Sequence, residues 1–122
     1  MKYHPEHSWA EVKGQEATIG ITDFAQDQLG KIVFVDLPEA EDELVAGEVF
    51  GQIESQKTVS DLIAPVSGIV IESNQDLEES PGLINDSPQE RGWITRVLLT
   101  EPDELDDLLG EEEYQNLTKE DD

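Results

Sequence analysis

The segment between Val49 and Gly68 constrains this chain more than any other. Val49-Phe50-Gly51-Gln52-Ile53 is apolar and β-branched enough for a strand, and Val59, Leu62 and Ile63 begin a second. Pro65 with Gly68 supplies a turn beyond them. Lys57 stands between the two runs. The pattern predicts a hairpin with Lys57 near its tip, its amine in water and the acids Glu54 and Asp61 close by. On spacing alone such a lysine reads as an ordinary solvated turn residue, since hairpin tips are polar for structural reasons.

The rest of the chain offers more short elements of the same kind. His7 to Lys13 predicts a strand carrying Trp9 and Val12, and Gly14-Gln15 predicts a turn. Ala17, Ile19 and Ile21 then alternate with Glu16, Thr18 and Gly20, the period-two pattern of a half-buried antiparallel pair. Thr22 or Asp23 can cap a short helix that ends at Gly30, with Phe24 and Leu29 facing the core. Ile32 to Leu37 is nearly continuous in β-forming residues and predicts a central strand. Asp76 to Ser80 predicts a helical turn stopped by Pro81-Gly82, Leu83 to Pro88 a second short segment, and Gly92 to Leu99 the last strand. Thr100 with Asp103 has the form of a capping box. Leu105, Leu108 and Leu109 predict a helix ending at Gly110, with a further turn over Glu111 to Leu117. Many short strands punctuated by turns predict a compact β-rich sandwich or flattened barrel, and no strand–helix–strand repeat supports a parallel sheet.

With 122 residues, the chain suits one domain with a modest core. No run approaches the ~20 apolar residues of a membrane-spanning helix. Met1-Lys2-Tyr3-His4-Pro5 has neither an apolar signal core nor an Arg-rich transit character. The expected location is therefore the cytoplasm, or the mitochondrial matrix for a mature organellar form. The absence of cysteine excludes disulfides, thiolate metal sites and cysteine nucleophiles, so any redox chemistry must come from an attached group. Thirty acids against seven bases give a net charge of −23, which argues against nucleic acid and anionic membrane as partners and favours proteins with basic docking surfaces. Residues 101 to 122 hold eleven acids and one base, so the acidity belongs to the tail and to the rest of the surface alike.

Catalytic motifs are missing. His4 and His7 are the only histidines, and no Gly-x-Ser-x-Gly nucleophile motif or phosphate-binding glycine loop occurs. His4, His7 and Glu6 on one short terminal segment read as surface and packing residues rather than metal ligands. Trp9 and Trp93 read as core aromatics. A carrier needs no catalytic residue, because the attached group supplies the chemistry.

The words around Lys57 add specificity. Glu54-Ser55-Gln56-Lys57-Thr58-Val59-Ser60-Asp61-Leu62, followed by Ala64-Pro65-Val66-Ser67-Gly68, resembles the lipoyl-lysine hairpin of the glycine cleavage system H protein. The likeness runs from about residue 2 to about residue 118. It includes Ala17 to Gly30, Ile32 to Pro38, Pro81-Gly82-Leu83-Ile84-Asn85, Gly92-Trp93 and Pro102-Asp103-Glu104-Leu105.

This resemblance implies a mainly β fold: a lipoyl-type barrel-sandwich hybrid of two antiparallel sheets with short helices and a C-terminal helix. It implies a single lipoyl-carrier domain over 1–118, whose C-terminal helix spans about 101–117, with 119–122 as a frayed acidic tail. The implied role is that of a non-catalytic, monomeric carrier with lipoic acid on Lys57. It would shuttle the aminomethyl group of glycine from the pyridoxal-phosphate glycine decarboxylase to the folate-dependent aminomethyltransferase. Dihydrolipoamide dehydrogenase and a lipoate ligase or lipoyl/octanoyl transferase complete the implied partners. Competing readings are an H-like lipoate carrier for lipoate relay or lipoate-dependent sulfur oxidation, and an unmodified acidic docking module. A biotin carrier would place methionines beside the lysine, where this chain has Gln56 and Thr58.

Two departures concern the site. Gln56 stands where the family has valine, an exposed position where the change is expected to be tolerated. The family reads Ser or Thr, His, Glu, Trp where this chain has Glu6-His7-Ser8-Trp9, so hydroxyl and carboxylate have traded places. Glu6, Ser8 and Asp61 are the candidate residues for a cleft that receives the lipoyl arm. Glu6 is expected to substitute in part for the family's glutamate because residues two apart on a strand share a face.

Overall fold

A computed structural model describes the backbone of residues 1–121 and the side chains of residues 1–119. In chain order the elements are β1 (Lys2–Tyr3), β2 (Ser8–Lys13), β3 (Glu16–Ile21), α1 (Asp23–Leu29), β4 (Ile32–Val35), β5 (Glu43–Leu44) and β6 (Val49–Ser55). There follow β7 (Val59–Ile63), β8 (Gly68–Ser73), α2 (Asp76–Glu79), α3 (Leu83–Asp86), β9 (Thr95–Leu99), a 3-10 helix (Pro102–Asp107) and α4 (Glu111–Asp121). The described strands form two antiparallel sheets, one ordered β1-β2-β3-β9-β8-β5 and the other β4-β6-β7. The expected mainly β architecture with short helices and a C-terminal helix is what the chain adopts.

Two apolar clusters fill the space between the layers. Ile21 and Ile94 meet Ile32, Val35, Ile53 and Leu62 of the smaller sheet, with Leu77 and Ile84 closing the end. Ala10, Ala17, Ile19, Val70 and Val97 form the second cluster beneath Ala64, Val66 and Leu108. Alternation decides which side chains enter: in β3, Ala17 and Ile19 are buried whereas Glu16 is exposed and Thr18 half-buried. Gly20 interrupts that strand so that Trp9 can lie flat on it, since a Cβ there would stand 2.5 Å from the indole ring. Trp9 is buried and donates Nε1–H to Pro88 O at 3.1 Å, as a core aromatic should. Trp93 is only half-buried.

Several sequence expectations need correction. Ile32 to Leu37 is not a central strand: β4 ends at Val35 and lies at the edge of its sheet, and β6 takes the centre. A register shift between Ile32 and Phe34 forms a bulge there, which turns Phe34 outward to 56% exposure. The strand read from His7 begins at Ser8, because His7 adopts φ 73 and cannot continue a ladder.

The capping box at Thr100 does not form. Glu101 occupies the cap position without a side-chain bond, and Pro102 starts a 3-10 helix. That helix is held from outside: Glu104 accepts hydrogen bonds from Ser67 N and Ser67 Oγ, both at 2.8 Å. The chain then pairs Leu109 with Tyr3 before α4 begins, so the predicted single run over 101–117 is two elements. Of the tail expected to fray over 119–122, residues 119–121 are helical and Asp122 lies outside the described residues.

Candidate functional site

Lys57 occupies the predicted place, the exposed turn between β6 and β7. One buried hydroxyl shapes that turn. Ser55 Oγ, in a side chain only 5% exposed, accepts from Lys57 N at 3.3 Å and Thr58 N at 3.2 Å. Ser55 N donates to Thr58 O at 2.8 Å. The turn's amides are thus satisfied from below, which leaves the lysine side chain free of backbone duty. Among the described residues Lys57 makes no ion pair, so Glu54 and Asp61 do not restrain it.

Beneath the turn lies the junction of α1 and β4. Gln56 N donates to Lys31 O at 2.9 Å. Asn85 in α3 stitches the same junction: its Oδ1 accepts from Ile32 N at 2.9 Å, and its Nδ2 donates to Gly30 O at 2.8 Å and Gln26 Oε1 at 2.9 Å. Gly30 ends α1 at φ 82 and ψ −157, a conformation open essentially to glycine. The Lys57 stem passes over it, and a Cβ on Gly30 would lie 3.5 Å from Lys57 Cε.

A cleft of about 380 Å³ opens along α1 and the free edge of β7. Ile21, Ile53 and Leu62 give it an apolar floor, while Phe24, Gln28 and Leu29 of α1 form a wall. Phe24 and Leu29 are both half-buried; Leu29 also packs against the core cluster as expected, whereas Phe24, expected to face the core, faces this cleft. The seven residues of α1 make that wall about 10 Å long. Lys57 stands at the C-terminal end of the wall and the 4–7 turn at its N-terminal end, where the His7 and Phe24 rings sit 4.7 Å apart.

Glu6, Ser8 and Asp61 all line this cleft, so the fold brings the three polar candidates together. They arrive differently from the expectation. Glu6 does not share a strand face with Ser8, since it precedes β2 and the positive φ of His7 intervenes. The turn itself swings Glu6 to the cleft, its amide donating to His4 Nδ1 at 3.0 Å. Glu6 is exposed; Ser8 is 3% exposed, and its Oγ has no hydrogen-bond partner among the described residues. Asp61 is exposed at the rim and accepts from Gln52 Nε2 at 3.1 Å. An apolar slot lined also by two carboxylates and an unused hydroxyl suits an extended apolar group with a cationic or hydrogen-bonding end.

A residue outside the predicted site set, on the C-terminal helix, joins the supports of this cleft. Tyr114 of α4 brings its hydroxyl 2.7 Å from His7 Nδ1 and 2.7 Å from Thr22 Oγ1, and stacks on Tyr3 at 4.7 Å. Thr22 also caps α1, accepting from Ala25 N at 3.2 Å, and donates its backbone N–H to His7 O at 3.0 Å. Burial pushes the His4 imidazole below its ordinary value, against the opposing pull of Glu6, and His7 adds to the lowering. Burial likewise raises the Tyr3 phenol, helped by the Glu111 carboxylate. No group of three or more His, Cys, Asp or Glu able to hold a metal occurs among the described residues, and no described helix is long and apolar enough to cross a membrane.

Residues 1–121 match the family model described as Glycine cleavage H-protein. The glycine cleavage system H protein of Staphylococcus haemolyticus is 52% identical over 117 residues, spanning 96% of this chain and 93% of that one. That of Bacillus pumilus is 47% identical over 121 residues, spanning 99% and 95%. The crystal structure of a glycine cleavage system H protein from Mycobacterium marinum aligns with a TM-score of 0.88 at 37% identity, over 97% of this chain and 95% of that one. The chain therefore belongs to the glycine cleavage H-protein family.

Proposed function

We propose that this chain is a lipoyl carrier of glycine cleavage, with lipoate in amide linkage to Lys57. In this reading it is a non-catalytic cytoplasmic protein that passes the aminomethyl group of glycine from glycine decarboxylase to the folate-dependent aminomethyltransferase. Dihydrolipoamide dehydrogenase and a lipoate-attaching enzyme, ligase or transferase, are its other partners. One observation carries the reading: an exposed Lys57 on a rigidly hydrogen-bonded turn stands at one end of an apolar cleft whose polar residues are Glu6, Ser8 and Asp61.

When attached, lipoate supplies a dithiol that can be oxidised, reduced and loaded. The chain's own residues present and shield it. Ser55 holds the turn so that Lys57 Nζ reaches into solvent for acylation. Amide formation removes the lysine charge, which suits a stem that passes over Gly30 towards an apolar slot. Ile21, Ile53 and Leu62 exclude water, Glu6 and Asp61 favour a cationic end, and the buried Ser8 hydroxyl offers an unused donor and acceptor. Tethering keeps the load at high effective concentration near each partner.

Intact mass of the chain incubated with lipoate, ATP and a lipoate ligase tests the proposal, with peptide mapping to locate the group. One lipoyl group on Lys57 is expected, and Lys57→Arg should melt like the parent yet gain no mass, because a guanidinium is not the required amine nucleophile. Lipoate on the arginine variant, or none on the parent, would overturn the assignment.

A further inference from the structure

The outer face of the small sheet carries an apolar row that the carrier reading does not use. Of the seven exposed large apolar side chains among the described residues, Val33, Phe34, Val49 and Val59 belong to this three-stranded sheet. The cause is local to β4. Ile32 pairs with Ser55 and Phe34 with Glu54, so two residues of β4 advance against one of β6. This bulge puts consecutive side chains outside, Val33 at 42% and Phe34 at 56% exposure, where regular alternation would bury one of them. Glu54 pairs in turn with Val59, itself 57% exposed, so Phe34, Glu54 and Val59 form one row across the sheet. Val59 lies two residues after Lys57, and the row is the nearest to the lysine turn that spans all three strands.

Charge surrounds the row. Glu54 sits within it, and the next rung on that face, two residues along, carries Asp61 opposite Gln52, with Asp36 N donating to Gln52 O at 2.8 Å. A complementary partner would have an apolar socket rimmed by basic groups. We infer that the Val33–Phe34 bulge and Val59 form the docking face for the enzyme that acylates Lys57. This rests on the lipoyl-carrier reading and adds a recognition surface to it. Chemistry selects this partner over the others. An acylating enzyme must bring an activated carboxyl carbon to Nζ itself, so it closes over the residues beside the turn. The amide bond forms there as the bond to the activating group breaks. Enzymes that act on the far end of a long arm need not touch this rung.

The test uses the full chain, a lipoate ligase, lipoate and ATP, with lipoylation followed by mass. Phe34→Ser and Val59→Ser are each expected to lower kcat/KM about tenfold, mainly through KM, as loss of an apolar anchor does. Their melting temperatures should stay close to the parent's, since both side chains are exposed. Leu98→Ser, at an exposed apolar site on the other sheet, should react like the parent. Variants lipoylated to completion should be reduced by NADH through dihydrolipoamide dehydrogenase at the parent's rate. Unchanged ligation by the double variant would overturn the inference and leave the carrier reading standing. Parent protein that takes no lipoate would overturn both. An equal loss with the dehydrogenase, or a parent dimer in sedimentation that Phe34→Ser dissolves, would overturn the choice of partner.

Discussion

At the residue scale, small polar groups do more than their size suggests. Ser55 is the clearest case, because its buried hydroxyl serves two amides of the turn that displays Lys57. Ser55→Ala leaves both without that partner and should cost about 1–3 kcal/mol, read as a lower urea midpoint. Lipoylation of Lys57 should slow in the same variant as the turn loosens. His4 sets a pH dependence at the cleft's far end. Its neutral Nδ1 accepts from Glu6 N, and burial holds its folded pKa below the ordinary 6.5. Its contribution to stability is therefore complete above about 6.5 and is lost as pH falls through the lower folded value. An NMR titration should place the His4 midpoint below 6.5; a midpoint at or above it would contradict the burial argument.

Elements meet through shared partners. α4 touches the cleft's supports through Tyr114, whose hydroxyl joins His7 of the terminal turn to Thr22 at the start of α1. Tyr114→Phe keeps the stacking on Tyr3 but removes that junction, and should destabilise by about 1–2 kcal/mol in urea unfolding. Hydrogen exchange in the 4–8 segment should rise more than in β8 or β9, whereas uniform protection loss would mean that α4 supports the whole fold equally. Sequence reasoning located α1 well because Thr22 and Gly30 are strong local signals that the structure uses as caps. It misjudged Thr100 because a capping pattern is also local, yet Ser67, from a distant part of the chain, holds the following helix through Glu104.

Across the whole molecule, acidity is the dominant field. A net charge of −23 on 122 residues repels itself, so about 1 M salt should raise the melting temperature relative to low salt. A melting temperature indifferent to salt would show that the charges are already spaced beyond effective repulsion. The two sheets nonetheless share a buried apolar cluster, because Ile32, Ile53 and Leu62 meet Ile21 and Ile94 across the interface. The same arrangement leaves β7 with a free edge, and the cleft lies along it.

The sequence by itself determined the β-rich class, the α1 boundaries, the hairpin and the place of Lys57 at its tip. Each rests on interactions between residues near one another along the chain, where period, turn residues and caps act directly. Tertiary structure alone decided that β4 is a bulged edge strand, that Glu6 reaches the cleft through a left-handed His7, and that Asn85 and Tyr114 brace its two ends. The two braces depend on partners 50 or more residues away, Gly30 with Asn85 and Thr22 with Tyr114, and the place of β4 depends on β6, about 20 residues on. A linear pattern carries no signal for which distant strand or hydroxyl will stand opposite; packing makes that choice when the two sheets close.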